Sequence, residues 1–429
     1  MREEIEEMTD KERALLVGVD TGEEQDFERS MEELGSLAQA CGMQVAGVIT
    51  QKLDNVNKAL CIGAGKVKEV LELADSTGAD VIVFDNALSP SQIRNLGNEL
   101  EKPVMDRTNL ILDIFATRAQ TREAKLQVET ARLQYLLPRL VGMREALSRQ
   151  GGASGAMSNK GAGEKKLELD RRKIEHRIAQ LRRELEEVAR ERDTQRKRRA
   201  GSRTPQVALV GYTNAGKSTV LNQMVDRYGD NPEKRVLEKD MLFATLETSV
   251  RNIDSGDNRP FFLVDTVGFI HKLPHGLVKA FQSTLEEVVY ADLLVQVIDF
   301  SDEKYEQQME VTQQTLKELG AGDIPMLYVY NKADRCGMER LPRVKGRQIY
   351  MSAVNGVGIE ELAELIKVQV YSDNIDCKFC IPYEEGGVAA YFSENASVLS
   401  REYLDEGICL HVNCHRQDAA KYQQYRLEL

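Results

Sequence analysis

Gly211-Tyr212-Thr213-Asn214-Ala215-Gly216-Lys217-Ser218 is the stretch whose reading decides the fold. It fits G-x-x-x-x-G-K-[ST], a loop whose glycines let backbone N–H groups wrap a phosphate. Val207-Ala208-Leu209-Val210 precedes it as a short apolar run with the character of a buried strand. Thr219 to Val225 continues as a helix, whose N-terminal dipole favours an anion. Lys217 is placed to neutralise β- and γ-phosphate oxygens, and the Ser218 hydroxyl to hold Mg2+. A chance glycine turn would not bring Lys-Ser into register with both flanks. Gly211 through Thr219 is the expected phosphate-binding set.

Further stations follow in order. Asp265-Thr266-Val267-Gly268 comes straight after the apolar run Phe261-Phe262-Leu263-Val264. A carboxylate there can hold Mg2+ through water, and the Gly268 N–H can meet a γ-phosphate. Asn331-Lys332-Ala333-Asp334 follows Met326-Leu327-Tyr328-Val329-Tyr330. Asp334 offers two acceptor oxygens to the N1–H and 2-amino donors of guanine, a pair that adenine lacks, so GTP is expected over ATP. Ser352-Ala353 would supply a backbone N–H to the guanine O6. In Leu242-Phe243-Ala244-Thr245, Thr245 is the candidate to bind Mg2+ and sense the γ-phosphate, with Phe243 beside it in the GTP-binding set. The expected metal set is Ser218, Thr245 and Asp265.

At 429 residues the chain should hold roughly three domains, at about 100–200 residues each. No run of about 18 apolar residues predicts a transmembrane helix. The acidic start Met1-Arg2-Glu3-Glu4 lacks the apolar core of a secretory signal. Seven scattered cysteines suit a reducing cytoplasm better than a disulfide framework. Stable membrane insertion is not expected, peripheral association is left open, and a monomer is expected. The net charge of −12 hides an asymmetry: residues 116–200 carry 22 Lys+Arg against 12 Asp+Glu. If the chain meets RNA, it should do so there. A solvated Arg-rich helix surface is the plainer alternative.

The expected class is α/β and multidomain. Residues 1–115 form an N-terminal α/β unit, with strand-like runs at 14–19, 45–50 and 81–84 alternating with helical stretches. Gly63-Ala64-Gly65-Lys66 is read as a tight turn before an anion site. Residues 116–200 form a helical arm. Leu126, Leu133, Leu137 and Leu140 line a first helix, and residues 142–163 are a Gly/Ser/Asn-rich connection. A second helix repeats Leu167, Ile174, Ile178, Leu181, Leu185 and Val188 as a heptad seam, which favours an antiparallel coiled-coil hairpin. Arg171, Arg172, Arg177, Arg182 and Arg183 are its candidate RNA contacts. Residues 203–371 are the GTP-binding domain, a mixed and mostly parallel sheet, and 372–429 a small α+β module. Cys377, Cys380, Cys409, His411, Cys414 and His415 raise a zinc question. Strand alternation separates Cys409 and His411 from Cys414, so ordinary packing is expected.

With these segments in view, the chain resembles the HflX family of ribosome-associated GTPases along nearly its whole length. Residues 83–92 (Val-Phe-Asp-Asn-Ala-Leu-Ser-Pro-Ser-Gln) and Asp106-Arg107-Thr108-Asn109 carry the likeness, together with Lys125-Leu126-Gln127-Val128-Glu129 and Tyr135-Leu136-Leu137-Pro138-Arg139-Leu140. Asp265 to Ile270 and Phe281 to Glu287 extend it. The arm's tip, residues 152–160, departs from the compact form expected. The resemblance implies a protein that binds the large ribosomal subunit through rRNA and couples GTP to splitting or rescuing stalled ribosomes. An RNA-binding or ribosome-assembly factor without splitting activity is the alternative. It also implies an N-terminal domain that binds ATP in some members. Phe269 stands where many GTPases carry a water-orienting glutamine, so intrinsic hydrolysis should be slow and the expected catalytic set is Lys217, Thr245, Gly268 and Asn214. Asn214 matches the loop asparagine that holds K+ in related GTPases, and a hydrogen bond shaping the loop is its equal alternative.

Overall fold

The computed structural model describes residues 11–22, 26–149, 157–200, 204–229, 242–243, 248–272, 274, 282–338 and 340–427, with backbone alone at 140–149, 157–167, 193, 195–200 and 282–285. Two compact units emerge. One comprises Met1–Thr194, Asp240–Leu246 and His271–Gln282; the other comprises Gln195–Lys239, Glu247–Ile270 and Ser283–Leu429.

The first unit opens with four strands, β1 (Arg13–Asp20), β2 (Gln44–Lys52), β3 (Val81–Phe84) and β4 (Val104–Asp106), all parallel in the order β2-β1-β3-β4. β1 and β3 are continuous apolar runs because helices cover parallel strands. The helix Pro90–Leu100 begins on Ser89, which caps Gln92 N–H while the Gln92 side chain returns to the Ser89 N–H. Asp106 ends β4 and caps the helix Arg107–Arg118.

The arm is two helices, Arg122–Arg149 and Met157–Ala200. The connection expected at 142–163 is thus shorter. The first helix runs through Gly142 and the second already includes Gly161 and Gly163. A helical glycine costs only about 1 kcal/mol relative to alanine, which long helices absorb. The tip at 150–156 lies outside the described residues. Pairing is antiparallel: Arg177 meets Glu129, and Arg192, further on, meets the earlier Glu123. Ile178 and Leu181 of the seam are buried, as is Leu126.

The second unit carries a seven-stranded sheet of β5 (Gln206–Val210), β6 (Ser249–Ile253), β7 (Phe261–Asp265), β8 (Leu293–Asp299), β9 (Met326–Asn331), β10 (Arg343–Lys345) and β11 (Gln348–Tyr350). The order is β10-β11-β9-β8-β5-β7-β6, with antiparallel pairs only at the two edges. The C-terminal module is an antiparallel sheet of β12 (Asn374–Ile381), β13 (Ser397–Leu404), β14 (Gly407–His415) and β15 (Arg426–Leu427), ordered β13-β14-β12-β15. One face is buried by the helix Gly386–Asn395, where Phe392 stacks on Phe379 at 4.5 Å.

Candidate functional site: a phosphate loop and a base-reading edge

Every loop of this site leaves the carboxyl end of a parallel strand, where open α/β sheets bind ligands. β5 delivers Gly211, whose φ of 144° suits glycine, and a Cβ there would sit 2.2 Å from the Val297 carbonyl. Asn214 and Gly216 both have positive φ, and the helix Lys217–Tyr228 then starts with no side-chain cap. Its first N–H groups are therefore available to an anion.

Lys217 is buried, and its Nζ donates to the carbonyls of Gly211 (3.1 Å) and Tyr212 (2.8 Å). Burial pulls its ammonium down to about 8, opposed by Asp265. Ser218 Oγ donates to Asp265 Oδ2 at 2.7 Å. Desolvation raises the Asp265 carboxyl, while Lys217 and the Ser218 hydrogen bond oppose the shift. Asp265 Oδ1 and Thr213 Oγ1 are buried and accept or donate no hydrogen bond among the described residues. A carboxylate oxygen left over beside a serine hydroxyl is the donor set a hard divalent cation takes, so the residues fit Mg2+.

Gly268 lies against the loop: a Cβ there would stand 2.8 Å from Thr213 and 3.0 Å from Lys217 Nζ. Phe269 is buried, and its backbone bridges the loop, with Thr213 N–H donating to the Phe269 carbonyl and Phe269 N–H to the Gly211 carbonyl. The residue replacing a glutamine thus serves as a backbone clamp.

At the base-reading edge, Asn331 is buried and bridges both halves of the site. Its Nδ2 donates to the Ala215 carbonyl (3.0 Å), and its Oδ1 accepts from Ala353 N–H (2.9 Å). Lys332 Nζ donates to the Asn214 carbonyl and to Asp299 Oδ2. Asp334 is exposed on the turn Ala333–Cys336, as a reader of an incoming base must be. Ser352 and Ala353 are buried beside Asn331. Asp299 escaped the sequence reading, although its place at the end of the apolar run Leu293 to Ile298 was the available signal.

Thr245 lies outside the described residues. Phe243 belongs to the first unit, fully buried and edge-on to Phe115 at 4.7 Å. A second feature of that unit was invisible in sequence. Asp85, at the end of β3, is fully buried and ion-paired to Arg107 and to Lys272, the latter at 2.6 Å. Ser30 Oγ donates to Asp85 and accepts from Arg107 and Lys272, while Arg107 also pairs with Glu33. Of the arm arginines, Arg171, Arg172 and Arg177 are engaged by Glu175, Glu168 and Glu129 respectively. Arg182 and Arg183 are exposed, with no ion pair among the described residues.

A strand, a phosphate loop, a helix without a side-chain cap and an aspartate-bearing turn at the carboxyl ends of one parallel sheet define a P-loop nucleotide-binding protein. Three family profiles match in succession: "GTP-binding GTPase N-terminal" over residues 28–116, "GTP-binding GTPase Middle Region" over 118–199 and "50S ribosome-binding GTPase" over 206–332. A GTPase HflX of Caldanaerobacter subterraneus subsp. tengcongensis is 43% identical over 93% of this chain and 90% of its own. The Escherichia coli GTPase HflX is 39% identical over 92% of this chain and 91% of its own. A solved GTP-binding protein of Sulfolobus solfataricus in complex with GDP is 25% identical over 84% of this chain and 99% of that one, with a TM-score of 0.43. The chain belongs to the HflX family of GTPases, and is a GTP hydrolase.

Proposed function

We propose that this GTPase binds the large ribosomal subunit through its helical arm when GTP-loaded, and uses GTP binding and hydrolysis to split or rescue stalled ribosomes. The observation that carries this reading is the arm's positive charge within a protein of net charge −12. A phosphate-rich partner is attracted by such a limb and repelled by the remainder. Arg182 and Arg183 would lead the contact, because Arg171, Arg172 and Arg177 must first leave their carboxylates. The cytoplasm is the proposed location; among the described residues no helix is long and apolar enough to cross a membrane.

The reaction places GTP phosphates on the loop from Gly211 to Thr219, with Lys217 turned from the loop carbonyls to phosphate oxygens. Ser218 and Thr245 would hold Mg2+ directly and Asp265 through water; bound there, the ion neutralises charge developing between the β- and γ-phosphates. Gly268 N–H would report the γ-phosphate, and Asp334 and Ala353 N–H would read guanine. No side chain at Phe269 can orient the attacking water, so an ordering partner is needed. Asn214, whose backbone carbonyl Lys332 holds, is proposed to shape the loop or help hold K+. ATP at the N-terminal domain is proposed only as the family likeness suggests.

The test is co-sedimentation with large subunits at two salt concentrations, with a non-hydrolysable GTP analogue or GDP, alongside GTP turnover with and without subunits in K+ and in Na+. GTP-dependent, salt-sensitive binding with stimulated turnover is expected. Retained binding after Arg182→Ala with Arg183→Ala, at unchanged salt dependence, would overturn the arm's role. Binding without dissociation of intact ribosomes would favour the assembly-factor reading.

A further inference from the structure

We propose that Cys380 and Cys409 form a dithiol–disulfide couple across β12 and β14, oxidised by exchange with a small-molecule disulfide. The two residues stand directly opposite one another in the antiparallel pair. Both are partly exposed, and their sulfurs lie 2.8 Å apart. Directly opposed antiparallel residues have Cα atoms about 4.5–5.5 Å apart, inside the range of about 4.4–6.8 Å that a disulfide spans. The strands therefore need not slide for the bond to close. The sulfurs have roughly 0.8 Å still to travel to a bonded separation of about 2.05 Å.

The module holds its own contrast. Cys377 and Cys414 are buried on the covered face and are not opposed, since Cys377 faces Val412 and Cys414 faces Ile375. Both are shielded from solvent reagents, and burial pushes the Cys414 thiol up to about 12. Among the described residues no three His, Cys, Asp or Glu side chains gather as metal donors, so the open-face sulfurs are better read as a redox pair than as half a zinc site.

The roles of the two sulfurs differ. Cys409 donates its S–H to Cys380, and that hydrogen bond is the first cause holding the proton on Cys409. Cys380 thiolate attacks one sulfur of the small disulfide, whose other half leaves as a thiolate. Cys409 then loses its proton and attacks Cys380 of the mixed disulfide, expelling the second small thiol. The protein gives up two electrons and two protons, and the small disulfide becomes two thiols. The new bond ties the two central strands of the sheet and closes a loop holding β13 and the helix Gly386–Asn395.

The full chain is equilibrated with oxidised and reduced glutathione at several ratios, acid-quenched, unfolded, and its free thiols counted, with peptide mapping. The expected result is a fall from seven thiols to five. One intramolecular bridge, Cys380–Cys409, should appear, reversed by dithiothreitol, with a higher thermal midpoint for the oxidised form. The bridge should vanish in Cys380→Ser and in Cys409→Ser and persist in Cys336→Ser. Free thiols at both positions under the most oxidising ratio would overturn the proposal. So would a wild-type chain carrying only glutathione adducts there, and so would bridging of either residue to another cysteine.

Discussion

Asn331→Ala tests whether the phosphate loop and the guanine reader are one mechanical piece. Asn331 is 2% exposed and makes two hydrogen bonds to main chain, one to the Ala215 carbonyl and one from Ala353 N–H. Truncation leaves both backbone groups without their partner in a buried place. Each such orphan costs about 1–3 kcal/mol, so the pair comes to roughly 2–6 kcal/mol. A portion as small as about 2 kcal/mol falling on the nucleotide-competent loop would weaken GDP by about 30-fold. The assay is calorimetric titration of GDP with Mg2+, run beside urea unfolding of the nucleotide-free protein. Both should suffer, because the bond to Ala215 shapes the phosphate loop and the bond to Ala353 shapes the base reader. A variant that binds GDP within about threefold of the parent and unfolds at the same urea concentration would refute the bridge.

The same junction is open to a steric test. A Cβ on Gly216 would lie 2.3 Å from Asn331 Nδ2, on a residue with φ of 97°, so Gly216→Ala should weaken GDP at least as much as Asn331→Ala, and an affinity like that of the unsubstituted protein would contradict the geometry. For Lys217, burial lowers the folded pKa to about 8 from 10.5, so the unfolded chain binds more protons between those values. Stability of the nucleotide-free protein should therefore gain from this group as pH rises from about 8 to 10.5, and nucleotide binding in that window should take up a proton, seen by calorimetry in buffers of different ionisation heat. Asp334→Asn should trade guanine for xanthine nucleotides, because the amide can donate to the xanthine 2-oxygen; competition binding that still prefers GTP would exclude Asp334 as the reader. Asp85→Ala leaves the buried Arg107 on Glu33 and Ser30 and should cost about 1.5–3 kcal/mol in urea unfolding, whereas Lys272→Ala leaves the Asp85–Arg107 pair intact and should cost about 1 kcal/mol.

The turns after β5, β7 and β9 were legible because each is a short contiguous motif behind an apolar run. Strand, loop and helix propensity there all point the same way. Val81–Phe84 and Pro90–Leu100 were legible for similar reasons, a four-residue apolar run and a proline-led helix behind a capping serine. What escaped were contacts between segments remote in sequence. Asp299 reaches Lys332, and Ser30, Asp85, Arg107 and Lys272 converge, yet singly each is an ordinary polar residue. Asp106 was part of a recognisable stretch, but its work was hidden. It caps a helix, accepts the Leu88 N–H and the Tyr135 hydroxyl, and pairs with Arg139, which itself lies over the Tyr135 ring. The arm's end was misjudged because glycines at 142, 161 and 163 read as breaks, and composition cannot weigh a small helix penalty against a long helix.

That hidden chemistry bears on how a nucleotide state could leave the site. Lys272 follows Gly268 by four residues, and four residues of extended chain reach no more than about 14 Å. Gly268, proposed to meet the γ-phosphate, and the lysine held by Asp85 and Ser30 are therefore on one short tether. Displacing Gly268 toward a phosphate uses up slack in that segment before it reaches the ammonium, which sits on a buried carboxylate. A shift of the ammonium would leave that carboxylate on Arg107 and the Ser30 hydroxyl. Phe243, two residues before Thr245, is fixed in the same way by Phe115. Phe243 and Lys272 are thus both held by side chains of their own unit, Phe115 and Asp85. Measured hydrogen exchange at residues 81–86 and 107–118 should accordingly differ between GDP and a GTP analogue, and identical protection in the two states would break this link.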